Sequence, residues 1–430
     1  MGVARTMTAV AVVLAGGKGT RSADPTRAKL GQEIAGASLM EWHLRLLEAS
    51  EISEALVMAG HLGDQVQGLC DGLPVSPVST HVIHEKEQHG TVAALRLAAA
   101  ETDADEFVVI LGDILMSFPL DHVLKQWRAT DREVAVVVHP STHPNDSDAA
   151  FPGHDGSVLV VPKEQSRNDV PNMSSTGMFL ITRQGLERYG HLGDVGSDVL
   201  PAAAHRDDLA AIISSHYFKD TGTPARLTAA QRDVESGAFA RRGDTAPRPC
   251  LFLDRDGVIN PTEPEYYSPA AYELLPGVAQ AIREANLEGL PVIVLTNQPH
   301  IAKGFMSFDE HDLVRARMDA LLAEGGAFVD DYLFCPHHPD AGFDGEVTEL
   351  KVPCDCRKPG TGLAHEAAER HGVDLTKSVM VGDTDRDSKL AAATGMSYLH
   401  VGESLDGVGT QDCYPEAAEA IRRGIEVLTC

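Results

Sequence analysis

Positive charge is scarce in this sequence. Lys and Arg number 36 against 63 Asp and Glu, a formal net charge of -27 over 430 residues. Such a balance excludes nucleic acid or an anionic membrane as a general partner. It leaves room for phosphorylated small molecules, which need only a few local cations, backbone N–H groups and a divalent metal. Long apolar runs are also missing: none approaches the roughly 18 residues a membrane span requires. Cysteine is sparse and odd in number, seven in all. Three of the seven, Cys335, Cys354 and Cys356, crowd beside a histidine, which points to a metal site in a reducing compartment and not to a disulfide framework. The N-terminal stretch MGVARTMTAVAVVLAGG passes from a short polar lead into a strand-like run with no small-residue cleavage site. A cytoplasmic chain without a signal peptide is therefore expected, with Met7 as a candidate start.

What is present is enough apolar residue, 43%, for a sizeable core, in a chain long enough for two domains. Apolar β-rich runs alternate with helical patterns, the signature of α/β layers with parallel sheets. Strands are predicted at 9–14, 55–58, 107–111, 134–138 and 177–181 in the first half, with helices at 38–48 and 91–100 between them. In the second half the strands are 250–253, 291–295, 331–334, 378–381 and 397–401. A helical stretch at 223–239 precedes the polar, Pro-rich RRGDTAPRP. Two doubly wound, Rossmann-like domains follow, at 1–240 and 250–430, with 241–249 as linker.

The second half carries four chemically loaded strand ends in order. LFLDRDGVIN brings Asp254 and Asp256 to the end of an apolar strand, where α/β folds place ligands. Two carboxylates one residue apart can chelate magnesium and still divide nucleophilic and proton-transfer work. VIVLTNQ sets Thr296 and Asn297 at another strand end as hydroxyl and amide donors for phosphoryl oxygens. Arg357 and Lys358 add fixed positive charge of the kind phosphoryl transfer requires. VMVGDTDRD supplies Asp383 as a further magnesium ligand, with Asp387 one helical turn on as a candidate partner behind it. Any one of these alone reads equally well as a solvated loop charge. All four in order, each after an apolar strand, do not.

This ordered set resembles the haloacid dehalogenase superfamily over residues 249–402. The resemblance implies Asp254 as nucleophile and Asp256 as general acid and then base. It places magnesium on Asp254, Asp383 and the backbone carbonyl of Asp256, and the phosphoryl group on Thr296 and Lys358. Cys335, His337, Cys354 and Cys356 form a three-sulfur, one-imidazole set suited to a closed, structural zinc site, with His338 the ambiguous neighbour. CPHHPD followed by CDCRKP is similar to the D-glycero-D-manno-heptose 1,7-bisphosphate phosphatase family, in which the arginine at the position of Arg357 contacts substrate. Histidinol-phosphate phosphatases have a related loop with a shorter spacer than the sixteen residues between His337 and Cys354 here. The loop after Asn297 departs from that family, reading QPHIAKG where QSGIARG is usual.

In the first half, VVLAGGKGTR is a strand followed by a Gly-rich turn ending in Lys and Arg. Backbone N–H groups of such a turn can cradle triphosphate oxygens while Arg21 neutralises departing pyrophosphate. The pattern is neither a dinucleotide fingerprint nor a P-loop. It resembles the sugar-nucleotidyltransferase family over residues 8–235. The resemblance implies nucleotide binding by Gly16, Gly17, Gly19, Thr20, Gln88, Gly90 and Thr91, and a catalytic role for Arg21 and Lys29. Asp113 and Asp220 would hold a second magnesium. Lys163 is either the sugar-phosphate lysine of that family or a surface residue. The usual Pro-Lys-Pro reads Ala28-Lys29-Leu30.

Together the resemblances imply a bifunctional enzyme of nucleotide-sugar synthesis, whose phosphatase removes the 7-phosphate of a heptose bisphosphate. Its transferase would couple the heptose 1-phosphate to a nucleoside triphosphate, GTP by pathway logic, using Mg2+ for catalysis and Zn2+ for structure. Two alternatives stand beside it: a phosphatase for histidinol phosphate or another sugar phosphate, and a first half that binds nucleotide without catalysis.

Overall fold

The structure is a computed structural model that describes residues 7–17, 26–87, 89–165, 167, 169–243, 247–263 and 267–429. Its two largest sheets divide the chain. The first is built around Ala9–Leu14, which pairs in parallel with Glu54–Ala59 on one side and Glu106–Leu111 on the other. Val10 through Val13 are fully buried, as expected of a parallel strand covered by helices on both faces. Glu54–Ala59 in turn pairs with Ser79–His84. Beyond Glu106–Leu111 the sheet changes sense, because Ser174–Thr182 runs antiparallel to it and to Val134–His139. That reversal was not legible in the alternation of strands and helices, which signals parallel pairing only. A separate two-stranded ribbon joins Ile114–Ser117 to Tyr217–Asp220, placing Asp220 opposite Ile114.

The second sheet is parallel throughout, in the order Asp331–Cys335, Val292–Asn297, Leu251–Leu253, Val379–Gly382, Ser397–Val401, Cys413–Tyr414. The first of these strands in sequence, Leu251–Leu253, lies inside the sheet, so connections leave it in both directions. The crevice at its carboxyl end is where such sheets bind ligands. Leu251, Phe252 and Leu253 are all fully buried.

The stretch 223–239 is not one helix. Pro224–Glu235, capped by the Thr223 hydroxyl, is followed by Gly237 with φ +81° and a second helix, Ala238–Gly243. The polar segment after it is not simply solvated either. Arg242 is buried and donates to Asp330 at 2.6 Å and to the Ser215 and Leu290 carbonyls at 3.1 Å each. Arg248, also buried, reaches the Ser215 hydroxyl and the His371 carbonyl, both at 2.9 Å. The two halves also meet where the Asn172 N–H donates to buried Asp319 at 2.9 Å and where the His154 ring stacks on Phe308 with centroids 4.0 Å apart.

Candidate active sites in the two halves

Asp254 follows directly on Leu251–Leu253, its N–H bonded to the Val381 carbonyl at 2.9 Å. Its Oδ2 lies 2.9 Å from Lys358 Nζ. The same ammonium lies 2.7 Å from Asp387 Oδ1 and donates to the Leu295 carbonyl at 2.7 Å. Asp254, Asp383 and Asp387 present carboxylate oxygens that all fall within 4.8 Å of one another. Asp387, expected behind Asp383, thus stands in the same cluster. Burial pushes the Asp254 carboxyl up despite Lys358, and Asp387 adds to it. Burial, then the charge of Asp387, raises Asp383 to about 6. Asp383 Oδ1 is buried with no hydrogen-bond partner among the described residues. Clustered carboxylates with an orphaned oxygen are a donor set that fits a hard divalent cation such as magnesium. Gly257, with φ +81°, is required here: a Cβ on it would come within 2.2 Å of Asp383 Oδ2.

Asp256 is held elsewhere. Its carboxylate accepts from Arg255 Nε and Nη2 at 2.9 and 3.0 Å, from Asn260 at 3.0 Å and from Gln298 at 2.9 Å. Burial opposes its ionisation, but the Arg255 charge and these hydrogen bonds hold it below the usual carboxylate range. Its side chain is therefore not among the clustered carboxylates. Thr296 is buried and accepts from Gln298 Nε2 at 2.9 Å. Asn297, expected to face phosphoryl oxygens, spends its side-chain amide on the backbone of Lys358, donating at 3.1 Å and accepting at 2.9 Å. It fixes the lysine instead. Arg255 and Gln298 were not singled out in the sequence. The signal was available only as polar residues embedded within two motifs.

The three cysteines and the histidine expected to bind zinc converge. Cys335 Sγ lies 3.6 Å from Cys354 Sγ and 3.2 Å from Cys356 Sγ, which is 3.2 Å from both Cys354 Sγ and His337 Nδ1. Zinc–sulfur bonds of about 2.3 Å in a tetrahedron imply sulfur separations of roughly 3.8 Å; the sulfurs here lie closer, at 3.2 to 3.6 Å, and it is the chemistry of the donor set that fits zinc. His338 turns to the Asp340 backbone and takes no part. Arg357 donates to the His337 carbonyl at 3.3 Å, tying the loop that carries Lys358 to the ligand cluster.

The transferase half is more open. Gly16, Gly17, Lys29, Gly90, Thr91 and Asp113 line one cleft of about 390 Å³. Gly90 has φ +93°, and a Cβ there would lie 2.3 Å from the Gly193 carbonyl. Thr91 is fixed through its hydroxyl, which donates to Asp194 at 2.8 Å and accepts from Val195 N–H at 2.8 Å. Lys29 Nζ pairs with Asp113 Oδ2 at 2.6 Å. The Thr221 N–H and hydroxyl bind the Asp113 carbonyl at 2.9 and 2.8 Å, which brings Asp220 beside Asp113. Asp220 is held by Gly222 N–H at 2.6 Å and by Arg226, a partner the sequence reading did not name. Two adjacent carboxylates, each balanced by a movable cation, suit a magnesium-bound triphosphate. Gly19, Thr20, Arg21 and Gln88 lie outside the described residues. Lys163 borders a second cavity beyond Asp113.

A nucleotidyltransferase fold followed by a phosphatase of the haloacid dehalogenase class is what these two sites define. Residues 11–255 match the MobA-like NTP transferase domain, and residues 355–419 match a HAD-hydrolase-like model. The D-glycero-beta-D-manno-heptose-1,7-bisphosphate 7-phosphatase of Rhodopseudomonas palustris is 39% identical over 165 residues, 38% of this chain and 89% of that protein. The protein of the same name from Mesorhizobium japonicum is 40% identical over 183 residues, 41% of this chain and 79% of its own. The crystal structure of HddC from Yersinia pseudotuberculosis superposes with a TM-score of 0.44 at 24% identity, covering 53% of this chain and 100% of its own. The chain belongs to the MobA-like NTP transferases in its first half and to the heptose-bisphosphate phosphatase family in its second. It is an enzyme that fuses the two.

Proposed function

We propose that the second half hydrolyses the 7-phosphate of D-glycero-D-manno-heptose 1,7-bisphosphate and that the first half transfers a nucleotidyl group, GMP from GTP, to the resulting heptose 1-phosphate. The observation that carries this reading is the pairing in one chain of an NTP transferase with a match to most of the length of heptose 7-phosphatases. One half's product is the other's acceptor. No helix among the described residues is long and apolar enough to cross a membrane, and cytoplasmic substrates suit the reading.

In the phosphatase, Asp254 attacks phosphorus, the sugar oxygen leaves with a proton from Asp256, and an aspartyl-phosphate forms. Water, deprotonated by Asp256, then releases phosphate and restores Asp254. At rest Asp256 is held ionised by Arg255, the form the second step needs. Its protonation for the first step follows from the negative charge of arriving substrate. Lys358 neutralises the transferring group and Thr296 donates to it, while Asn297 keeps the lysine in place. Asp254, Asp383 and Asp387, with the Asp256 backbone carbonyl, would hold magnesium, whose charge would keep Asp254 ionised. Cys335, His337, Cys354 and Cys356 would hold zinc in a structural role, and their loop would present Arg357 to the substrate. In the transferase, Asp113 and Asp220 would hold the metal, Lys29 and Arg21 would balance phosphate charge, and positioning replaces covalent catalysis.

The test is a single incubation of the protein with magnesium, the heptose bisphosphate and each nucleoside triphosphate, following phosphate and pyrophosphate separately. Both should appear, pyrophosphate with GTP. With heptose 1-phosphate supplied beside the bisphosphate, Asp254→Asn should abolish phosphate release alone, and Asp113→Asn pyrophosphate release alone. Phosphate without pyrophosphate under every triphosphate would sink the bifunctional reading.

A further inference from the structure

A cavity of about 800 Å³ opens on the far side of Asp113 and Asp220 from the Gly-rich turn, and shares Thr91, Asp113 and Asp194 with the nucleotide cleft. On the reading above, this is the acceptor side of the transferase. Its outer wall is not made by the transferase. Arg283, Leu287, Glu324 and Phe328, all from the phosphatase half, line it.

The charges in this cavity are largely spent. Arg226 is paired with Asp146 and Asp220, Lys219 with Asp233, and Arg242 with Asp330. Lys163 and Arg283, the remaining lining cations, form no ion pair among the described residues, and Arg283 is solvent-exposed on the helix Val278–Leu287 of the phosphatase half. That helix is a firm support. One turn on from Arg283, Asn286 is locked by two hydrogen bonds to the Phe328 backbone, at 3.1 and 3.0 Å. Phe328 itself lies under the Arg242 guanidinium at 5.2 Å, and Arg242 bonds the Ser215 carbonyl. Ser215 precedes Asp220 by five residues, roughly 16 Å of extended chain. A long side chain reaching inward from that wall, and a metal-held phosphate reaching outward from Asp113 and Asp220, would bracket a ligand of sugar-phosphate size. Arg283 offers donors and Glu324 acceptors, the complement of a sugar's hydroxyl groups.

We propose that the phosphatase half completes the transferase's acceptor site, with Arg283 binding the hydroxyl end of the sugar 1-phosphate. This rests on the transferase reading above and adds to it a residue from the other half of the chain. The full-length Arg283→Ala protein is compared with wild type and Arg283→Lys. Calorimetric titration with heptose 1-phosphate should show affinity weakened on the order of tenfold in the alanine variant and partly restored by lysine. Pyrophosphate release should show the same rise in KM for the sugar phosphate, with kcat and the KM for GTP unchanged. Phosphatase turnover, the control for folding, should not change. Equal affinity in wild type and Arg283→Ala, or no binding by either, overturns the inference. Binding that depends on Arg283 without pyrophosphate release by wild type would instead overturn the transferase reading, and with it the acceptor role, leaving only a sugar-phosphate site shared between the halves.

Discussion

Each half of the molecule holds a lysine–aspartate pair at a strand end, and the two pairs are built differently. Lys358 and its partners Asp254 and Asp387 have side chains 2%, 12% and 0% exposed, while Lys29 and Asp113 are 22% and 20% exposed. The first pair is made by the core. Its ammonium also bonds a strand carbonyl, its backbone is clipped by Asn297, and its loop is tied through Arg357 to the Cys/His cluster. The second lies in an open cleft lined by Gly16, Gly17 and Gly90. A site built into the core does its chemistry with groups that also hold the fold together. A site in a cleft can be altered without disturbing the fold.

The largest effect that would break this contrast comes from the lysines themselves. Lys358→Met should remove phosphate release by at least about 10³-fold, and leaving two buried carboxylates uncompensated should cost about 3–5 kcal/mol of stability in denaturant unfolding. Lys29→Met should abolish pyrophosphate release but change stability by no more than about 1 kcal/mol. Equal stability losses in the two variants would remove the distinction. Next in size is the zinc loop. Cys354→Ser should weaken zinc retention by roughly 10²-fold or more, measured as metal content after dialysis. With it the KM of the phosphatase should rise, because Arg357 hangs from the His337 carbonyl, and the transferase should be unaffected.

The smallest effect concerns pH. Burial would raise the carboxyl of Asp331, but Arg370 and the His371 hydrogen bond hold it well below the usual carboxylate range. A carboxyl whose folded pKa is depressed adds stability at neutral pH that is lost as acid protonates it. The stability gap between wild type and Asp331→Asn, about 2 kcal/mol at pH 7, should therefore narrow as pH falls below about 4. A gap that stays constant in urea titrations from pH 7 to 3.5 would show that the pairing contributes nothing as a charge.

Much of the phosphatase site was readable from sequence because it sits on short apolar strands whose ends carry the motif. Leu251–Leu253 leads straight to Asp254, and Val379–Gly382 straight to Asp383. What escaped was any feature that depends on a partner distant in the chain. Asp387 looked like an outer residue because helical spacing sets its distance from Asp383 and says nothing of Lys358 reaching over from another loop. Asn297 looked like a phosphoryl donor because its type allows it, yet the Lys358 backbone takes both its amide atoms. The antiparallel strand Ser174–Thr182 leaves no mark in periodicity, since pairing sense is decided by a neighbour. In the transferase half, the alternation located Ala9–Leu14 and the helix Thr91–Ala100, while the pairing of Asp220 with Arg226 had no sequence signal. Arg242 and Arg248 read as linker residues because a charge in a Pro-rich stretch is ordinarily solvated. Here each is buried.

That burial has an evolutionary side. Arg242 comes from the transferase half and Asp330 from the phosphatase half, and neither is left in water. A stand-alone phosphatase grafted in place of this one would have to supply an acid at the Asp330 position. A transferase cut off after Gly243 would keep a guanidinium whose counter-charge had gone. The junction is thus a packed, charge-paired seam, and separating the halves would cost the Arg242–Asp330 pair along with the burial around it.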